Sequence, residues 1–404
     1  MVLPRCRSRR TRTLWNWLRP HTIERVLINS LVQARGVRYA TASRFTEPEP
    51  LPWDGTIDAT RRGPACPQPP SSLASVVGNS VEGLSFDEHC QVLSVTAPAD
   101  AKDLPVMVWF HGGAYVTGSG ESAKYDATLL AAHGVVVVSV SYRLGVFGYL
   151  RDNLGLLDQL AALRWVRDNI TAFGGDPANV TAFGQSAGAD SVYALLVTDT
   201  EDLFHRAILQ SAPLGTRSPD RPDMTAALRE LVSVDATTPV PDVLAAQQHA
   251  IVELGPRFSP SGSMPFGPEL ATADLSAAAT RVELLVGHTQ DDGSPYVAAH
   301  PEAWAMVTDL VFADPARRLA ADWATAGGKA ATYNFRWSPE GAPLGACHCI
   351  ELPFLFDPDA WTGAGMLAGH APDPALAQVM RRTWTDFARN GIDALPSREL
   401  EFGG

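Results

Sequence analysis

A chain of 404 residues with 46% apolar and 19% charged side chains can bury a large core and is not an intrinsically disordered sequence. Its 44 acidic against 32 basic residues give a net charge of −12, which excludes the basic face that a nucleic-acid partner requires. No run of 18 apolar residues occurs, so no membrane span is expected. The basic residues are nearly all arginine, with lysine only at Lys102, Lys124 and Lys329, which reads as compositional bias.

The N-terminus carries Arg5, Arg7, Arg9, Arg10 and Arg12, like the n-region of an export signal. The stretch that follows is broken by Asn16, Arg19, Pro20, His21, Glu24 and Arg25, so it supplies no apolar h-region. Residues 1–35 therefore read as a basic, mobile extension of a cytoplasmic protein, ahead of a single domain over 36–404. The five cysteines, Cys6, Cys66, Cys90, Cys347 and Cys349, are odd in number and widely spaced, which is no disulfide scaffold. Cys347-His348-Cys349 has no second Cys/His pair at zinc-finger spacing, so a metal site is not expected.

In chain order, residues 63–85 read as a long surface loop rich in Pro, Ser and Gly, and Gln91–Ala97 alternates as a strand. Val106–Phe110 and Val135–Val140 are continuous apolar runs, the pattern of parallel strands buried on both faces. Leu156–Asn169 has helical spacing, with Leu156, Leu160, Leu163 and Val166 on one face. Asn179–Phe183 is a strand and Ala189–Val197 a helix. Ala207–Leu209, Val282–Val286 and Ala331–Trp337 are further strands, the last being the final clear one. Strands alternating with helices predict an α/β fold with a mostly parallel central sheet flanked by helices. Residues 214–280, rich in Pro, Ala and Asp, read as an insertion that caps the C-terminal sheet edge and walls a pocket.

Gly184-Gln185-Ser186-Ala187-Gly188 stands between the strand at 179–183 and the helix at 189–197. A G-x-S-x-G in that context forms a sharp turn that raises the serine hydroxyl above a sheet edge. A serine hydroxyl needs an adjacent base to become a nucleophile. In this arrangement an acid and then a histidine follow the serine in chain order. The acid is expected just past strand 282–286, where Asp291 and Asp292 both stand before Gly293 and sequence barely separates them. Of the later histidines, His300 follows the acid too closely and His370 lies in a Gly/Ala/Pro-rich segment. His348, a loop beyond strand 331–337, has the right position. His111-Gly112-Gly113-Ala114 follows a buried strand, as a loop of N–H donors for an oxyanion would.

From about Val37 to its C-terminus the chain resembles the type-B carboxylesterase family, which includes para-nitrobenzyl esterases and cholinesterases. The resemblance is densest from Asn153-Leu154-Gly155 through Phe173-Gly174-Gly175-Asp176-Pro177 to Ser186. It continues in Gln210-Ser211, in Asp291-Asp292-Gly293 and in His348 to Pro353. Trp384 to Gly391 matches as well. The resemblance implies an α/β-hydrolase fold with a reduced cap and a serine carboxylic-ester hydrolase that uses no cofactor. It implies Ser186, Asp292 and His348 as the catalytic set and Gly113, Ala114 and Ala187 as the oxyanion hole. Cys66 and Cys90 match a cysteine pair that is bridged in secreted members. The chain departs from the family in being short over 293–347 and at the C-terminus, which implies a more open pocket. Gln185 stands where Glu is commoner, and no Trp lies between Cys66 and Cys90, where cholinesterases hold a cation. Small uncharged esters are therefore the expected substrate. The alternative, a non-catalytic binding module on the same fold, is disfavoured by the retained serine, acid and histidine.

Overall fold

The structure is a computed structural model that describes residues 22–404 apart from 29, 54–55, 199–201, 218, 259–260 and 271–274. Its centre is a ten-stranded sheet. In chain order the strands are β1 (Val26–Ile28), β2 (Leu31–Arg38), β3 (Val92–Pro98), β4 (Leu104–Phe110) and β5 (Val136–Val140). There follow β6 (Gly175–Gln185), β7 (Arg206–Gln210), β8 (Glu283–Thr289), β9 (Ala330–Phe335) and β10 (Glu399–Phe402). Across the sheet the order is β10-β9-β8-β7-β6-β4-β5-β3-β2-β1. The pairs from β10 to β5 are parallel, and β3, β2 and β1 add antiparallel strands at one edge.

The central strands are apolar throughout because both faces are covered. The two-residue pleat of β4 sends Val106, Val108 and Phe110 to one face and Met107 and Trp109 to the other. The first face packs on Leu156, Leu160, Leu163 and Val166 of α1 (Leu154–Asn169), and on Val192 and Leu195 of α2 (Ala187–Leu196). The second face packs on Met380, Trp384 and Phe387 of the C-terminal helix at 374–390. Trp109 stands within 5.2 Å, centroid to centroid, of Phe183, Phe356 and Tyr125, an aromatic knot under the carboxyl ends of β4 and β6.

Three expectations change. The extension drawn over 1–35 is too long, because Leu31–Arg38 pairs with β3 in the main sheet. Residues 1–21 lie outside the described residues. Ala331–Trp337 is not the last strand, since Glu399–Phe402 pairs with β9; its four residues alternate exposed and buried and are too few to announce a period. Residues 63–85 do not lie on the surface throughout: Ala65, Cys66 and Gln68 are buried, and Ala74–Val77 is a helical turn. Cys66 and Cys90 are both buried and free. Among the described residues, no helix is long and apolar enough to cross a membrane.

Candidate active site

Chain order reverses direction in the sheet at β4, with β5 on one side and β6 on the other, and ligands in open α/β sheets bind outside the carboxyl ends of the strands at such a point. β4 ends in the His111–Ala114 loop, β6 in Ser186, and β8 in Asp291 and Asp292; the chain after β9 reaches His348.

Ser186 has φ 57° and ψ −128°, a strained conformation for a non-glycine residue. The turn is held from both sides: Ser186 N–H donates to the Gln210 carbonyl (2.8 Å), and Asp190 N–H donates to the Ser186 carbonyl (2.9 Å). The elbow packs so tightly on β4 that a Cβ at Gly188 would stand 1.9 Å from the Phe110 carbonyl oxygen, so no larger residue fits. Below the elbow, Asp190 is buried and gripped by Arg217, with Nε–Oδ1 2.6 Å, and by the Tyr115 hydroxyl at 2.6 Å.

The His111–Ala114 loop leans directly on the elbow, where a Cβ at Gly112 would lie 3.0 Å from that of Ser186. Gly113 has φ 116°, and Ala114 (φ 53°) and Tyr115 (φ 62°) continue in the left-handed region. This tight turn is closed by Val116 and Thr117 N–H groups donating to the Gly113 carbonyl. Among the described residues, the N–H groups of Gly113, Ala114 and Ala187 make no backbone hydrogen bond outside regular elements, so all three remain free to donate. His111 is buried, stacks on Tyr142 at 4.5 Å and bonds the Gly112 carbonyl, and burial drops its pKa to about 4.

His348 and Asp292 are both buried, with His348 Nδ1 2.5 Å from Asp292 Oδ1. Asp292 Oδ2 accepts from Thr289 N–H at 3.1 Å, which fixes the carboxylate on its own loop. Asp291 faces elsewhere: its Oδ2 accepts from Ala346 N–H (2.9 Å), and its own N–H donates to the Ala346 carbonyl. It braces the histidine loop without touching the imidazole. Burial opposes protonation of His348, but the pKa is raised well above its ordinary value. Tyr296, Cys349 and Asp292 lie close enough to act on it. Tyr296 is itself pushed up to about 12 and Cys349 is raised, both chiefly by burial, and Asp292 is the group in direct contact with Nδ1 that favours the imidazolium.

A neutral His348 that donates Nδ1–H to Asp292 presents a lone pair at Nε2. In this structure Nε2 lies 3.1 Å from the Gln185 side-chain amide nitrogen. Among the described residues no Ser186 Oγ–His348 hydrogen bond is formed, although both side chains line one cavity. Unliganded sites commonly hold this bond loosely and tighten it with substrate.

The cavity has a volume of about 280 Å³. Its floor is Gly112–Ala114, Gln185, Ser186 and His348. Gln248, Ile251, Ser263 and Pro265, from the 214–280 segment, line it. Sequence reading missed the rest of the lining, which includes residues between Pro69 and Ser80 together with Lys124, Tyr125, Tyr296 and Trp361. A stretch of Pro and Ser gives no signal that it will fold over a pocket. Tyr296 and Phe312 pack on the His348 ring at 5.5 and 5.2 Å.

The model of the carboxylesterase family matches residues 29–303 and 272–399. A probable N-octanoylanthranilate hydrolase, AqdA2, of Rhodococcus erythropolis is 39% identical over 88% of this chain and 88% of its own length. The para-nitrobenzyl esterase of Bacillus subtilis is 35% identical over 90% of this chain and 87% of its own. A solved thermophilic para-nitrobenzyl esterase superposes with a TM-score of 0.80 at 32% identity, covering 91% of this chain and 89% of the other. A matching family model over most of the chain, relatives of full length and the same α/β-hydrolase architecture agree: the chain belongs to the carboxylesterase family and is a carboxylesterase.

Proposed function

We propose that ester hydrolysis proceeds through an acyl-enzyme on Ser186. His348 Nε2 takes the hydroxyl proton, Oγ attacks the ester carbonyl, and the N–H groups of Gly113, Ala114 and Ala187 receive the oxyanion. Asp292 holds Nδ1–H and stabilises the imidazolium. The imidazolium then gives its proton to the leaving alcohol, and water repeats the sequence to release the acid and free Ser186. The observation that carries this reading is the fully buried Asp292–His348 pair, whose histidine lines one cavity with a strained serine. The contact between His348 and Gln185 is a resting arrangement that a bound ester displaces, so that Nε2 turns to Ser186.

The segment 214–280 acts as the cap of this pocket, a role supported by Gln248, Ile251, Ser263 and Pro265 in its wall and by the Arg217–Asp190 ion pair beneath the elbow. A cytoplasmic location belongs to the same proposal. The substrates are small esters without a cation. The test is hydrolysis of short-chain p-nitrophenyl esters by the wild type beside Ser186→Ala. The variant is expected to lose several orders of magnitude in kcat. Equal rates would overturn the assignment of the nucleophile.

A further inference from the structure

Besides the imidazole of His348, one ionisable group of another kind stands out in the cavity wall. Lys124 is only 6% exposed, although lysine is among the residues least often buried without a partner. Among the described residues no carboxylate pairs with it at ion-pair distance, and no Asp or Glu lines the cavity. Its ammonium lies 4.5 Å from the centre of the Trp361 ring and donates to the Ala360 carbonyl at 3.3 Å. An ammonium has three N–H donors, so this leaves capacity unused. Trp361 is itself anchored, its indole N–H donating to the Lys124 carbonyl at 3.2 Å, so residue and ring are fixed as a unit.

We propose that Lys124 is a specificity residue that receives a carboxylate on the substrate, so that the enzyme prefers esters bearing a carboxylate over their neutral counterparts. This rests on the reading of Ser186 as nucleophile and narrows its substrate class. The expectation of uncharged esters came from what the pocket lacks for a cation, and a missing cation site leaves room for an anion. Gln185 acts in the same direction, since a Glu there would add a negative charge beside the reacting carbonyl. Burial lowers the pKa of Lys124 and the charge of Glu82 acts against that. A carboxylate entering the cavity restores the ion's lost solvation, which is why a desolvated cation is a stronger anion receptor than one in water. The overall charge of −12 does not cancel this attraction, because surface charges are screened beyond roughly 8 Å at physiological salt.

The experiment uses two matched pairs of esters. In one, 3-butanoyloxybenzoate is compared with its methyl ester, placing the carboxylate on the leaving group. In the other, the p-nitrophenyl half-ester of glutaric acid is compared with p-nitrophenyl pentanoate, placing it on the acyl group. The readout is the ratio of kcat/KM, charged over neutral, within each pair. In the wild type one pair is expected to favour its charged member, and Lys124→Met is expected to lower that ratio about tenfold, mainly through KM. Lys124→Arg is expected to keep most of the preference. A wild type that favours the neutral member in both pairs, or ratios that Lys124→Met leaves unchanged, would overturn the proposal. Should Lys124→Met fold poorly, inhibition of the wild type decides: 3-hydroxybenzoate must compete better than its methyl ester, and less so in high salt. If the wild type hydrolyses no ester above the Ser186→Ala level, the nucleophile has failed and not the lysine.

Discussion

The floor of the cavity and its walls are built from different kinds of backbone. The floor is made by the chain leaving the ends of β4, β6 and β9, braced from behind by the β8 loop, each pinned by the sheet and by its own hydrogen bonds. The walls come from chain that does not leave the strand ends: residues between 69 and 80, Gln248 and Ile251 on the helix Val240–Leu254, then Ser263, Pro265 and Trp361, with Lys124 and Trp361 fixed on each other. Groups that must hold a reacting atom to a fraction of an ångström sit on rigid strand ends, and groups that choose among substrates sit where the chain tolerates change. Changes in the floor should therefore act on kcat or on folding, and changes in the wall on KM ratios.

The largest effect separates two adjacent residues of the β8 loop that braces the floor. Asp292→Asn leaves His348 Nδ1 without its carboxylate and favours the wrong tautomer, and kcat should fall by about 10³–10⁴. Asp291→Asn keeps an oxygen to accept the Ala346 N–H, so its kcat should stay close to that of the wild type. Steady-state rates on one neutral p-nitrophenyl ester measure both. The reverse ranking would move the acid to Asp291 and break the geometric assignment.

Next in size is a change that tests whether the elbow is as tight as it looks. Gly188→Ala places a methyl against the Phe110 carbonyl, backbone that cannot swing aside. Separation of α2 from β4 should cost about 2–3 kcal/mol, read as a lower urea midpoint. An unchanged midpoint together with unchanged activity would show that the floor yields more than its contacts suggest.

The floor was also the part that the sequence made legible. Gly184 to Gly188, His111 to Ala114 and the residues around Asp292 and His348 each combine a turn requirement with a strand end, and both leave marks in the residue order. Asp291 and Asp292 could be separated by resemblance, not by pattern, because which carboxylate turns inward depends on the twist of one loop. The walls left no such mark. Lys124 looked like one of three scattered lysines, and its place beside Trp361 joins residues 237 positions apart. Glu399–Phe402 was missed as an edge strand, and residues 63–85 as a pocket wall, because tertiary contact and not local period determines both.

Within the floor, the Gln185 amide nitrogen lies 3.1 Å from His348 Nε2. Gln185→Glu would set a carboxylate there. His348 already faces Asp292, Tyr296, Cys349 and, within the same polar cluster, Glu351. The active base is neutral imidazole, so activity rises with pH through the His348 pKa, and a second carboxylate raises that pKa further. The acid limb of kcat/KM should move up by about one pH unit, lowering activity near neutrality and restoring part of it in alkali. An acid limb that does not move would mean that Gln185 is not the group facing Nε2 in solution.

The smallest effect tests the layer behind the floor. Glu351 is fully buried, its Oε1 accepting from Gln210 Nε2 at 3.1 Å, while its Oε2 finds no side-chain partner among the described residues. Gln210 also takes the Trp384 indole N–H, and its backbone carbonyl takes the Ser186 N–H, so Glu351 sits at the end of a chain leading to the elbow. Burial, and then the charge of Asp292, push its pKa from 4.5 to about 7. A carboxyl raised in this way binds a proton in the folded protein that the unfolded chain releases. The stability it contributes is whole below about pH 4.5 and is lost as pH rises through about 7. Glu351→Gln keeps an oxygen for Gln210 and cannot ionise. It should match the wild type near pH 5 more closely than at pH 8, where it should be more stable by on the order of 1 kcal/mol. Urea midpoints at the two pH values measure this. A gain of the same size at both pH values would mean that Glu351 is already ionised near pH 5, and the proton would have to be sought elsewhere in the layer.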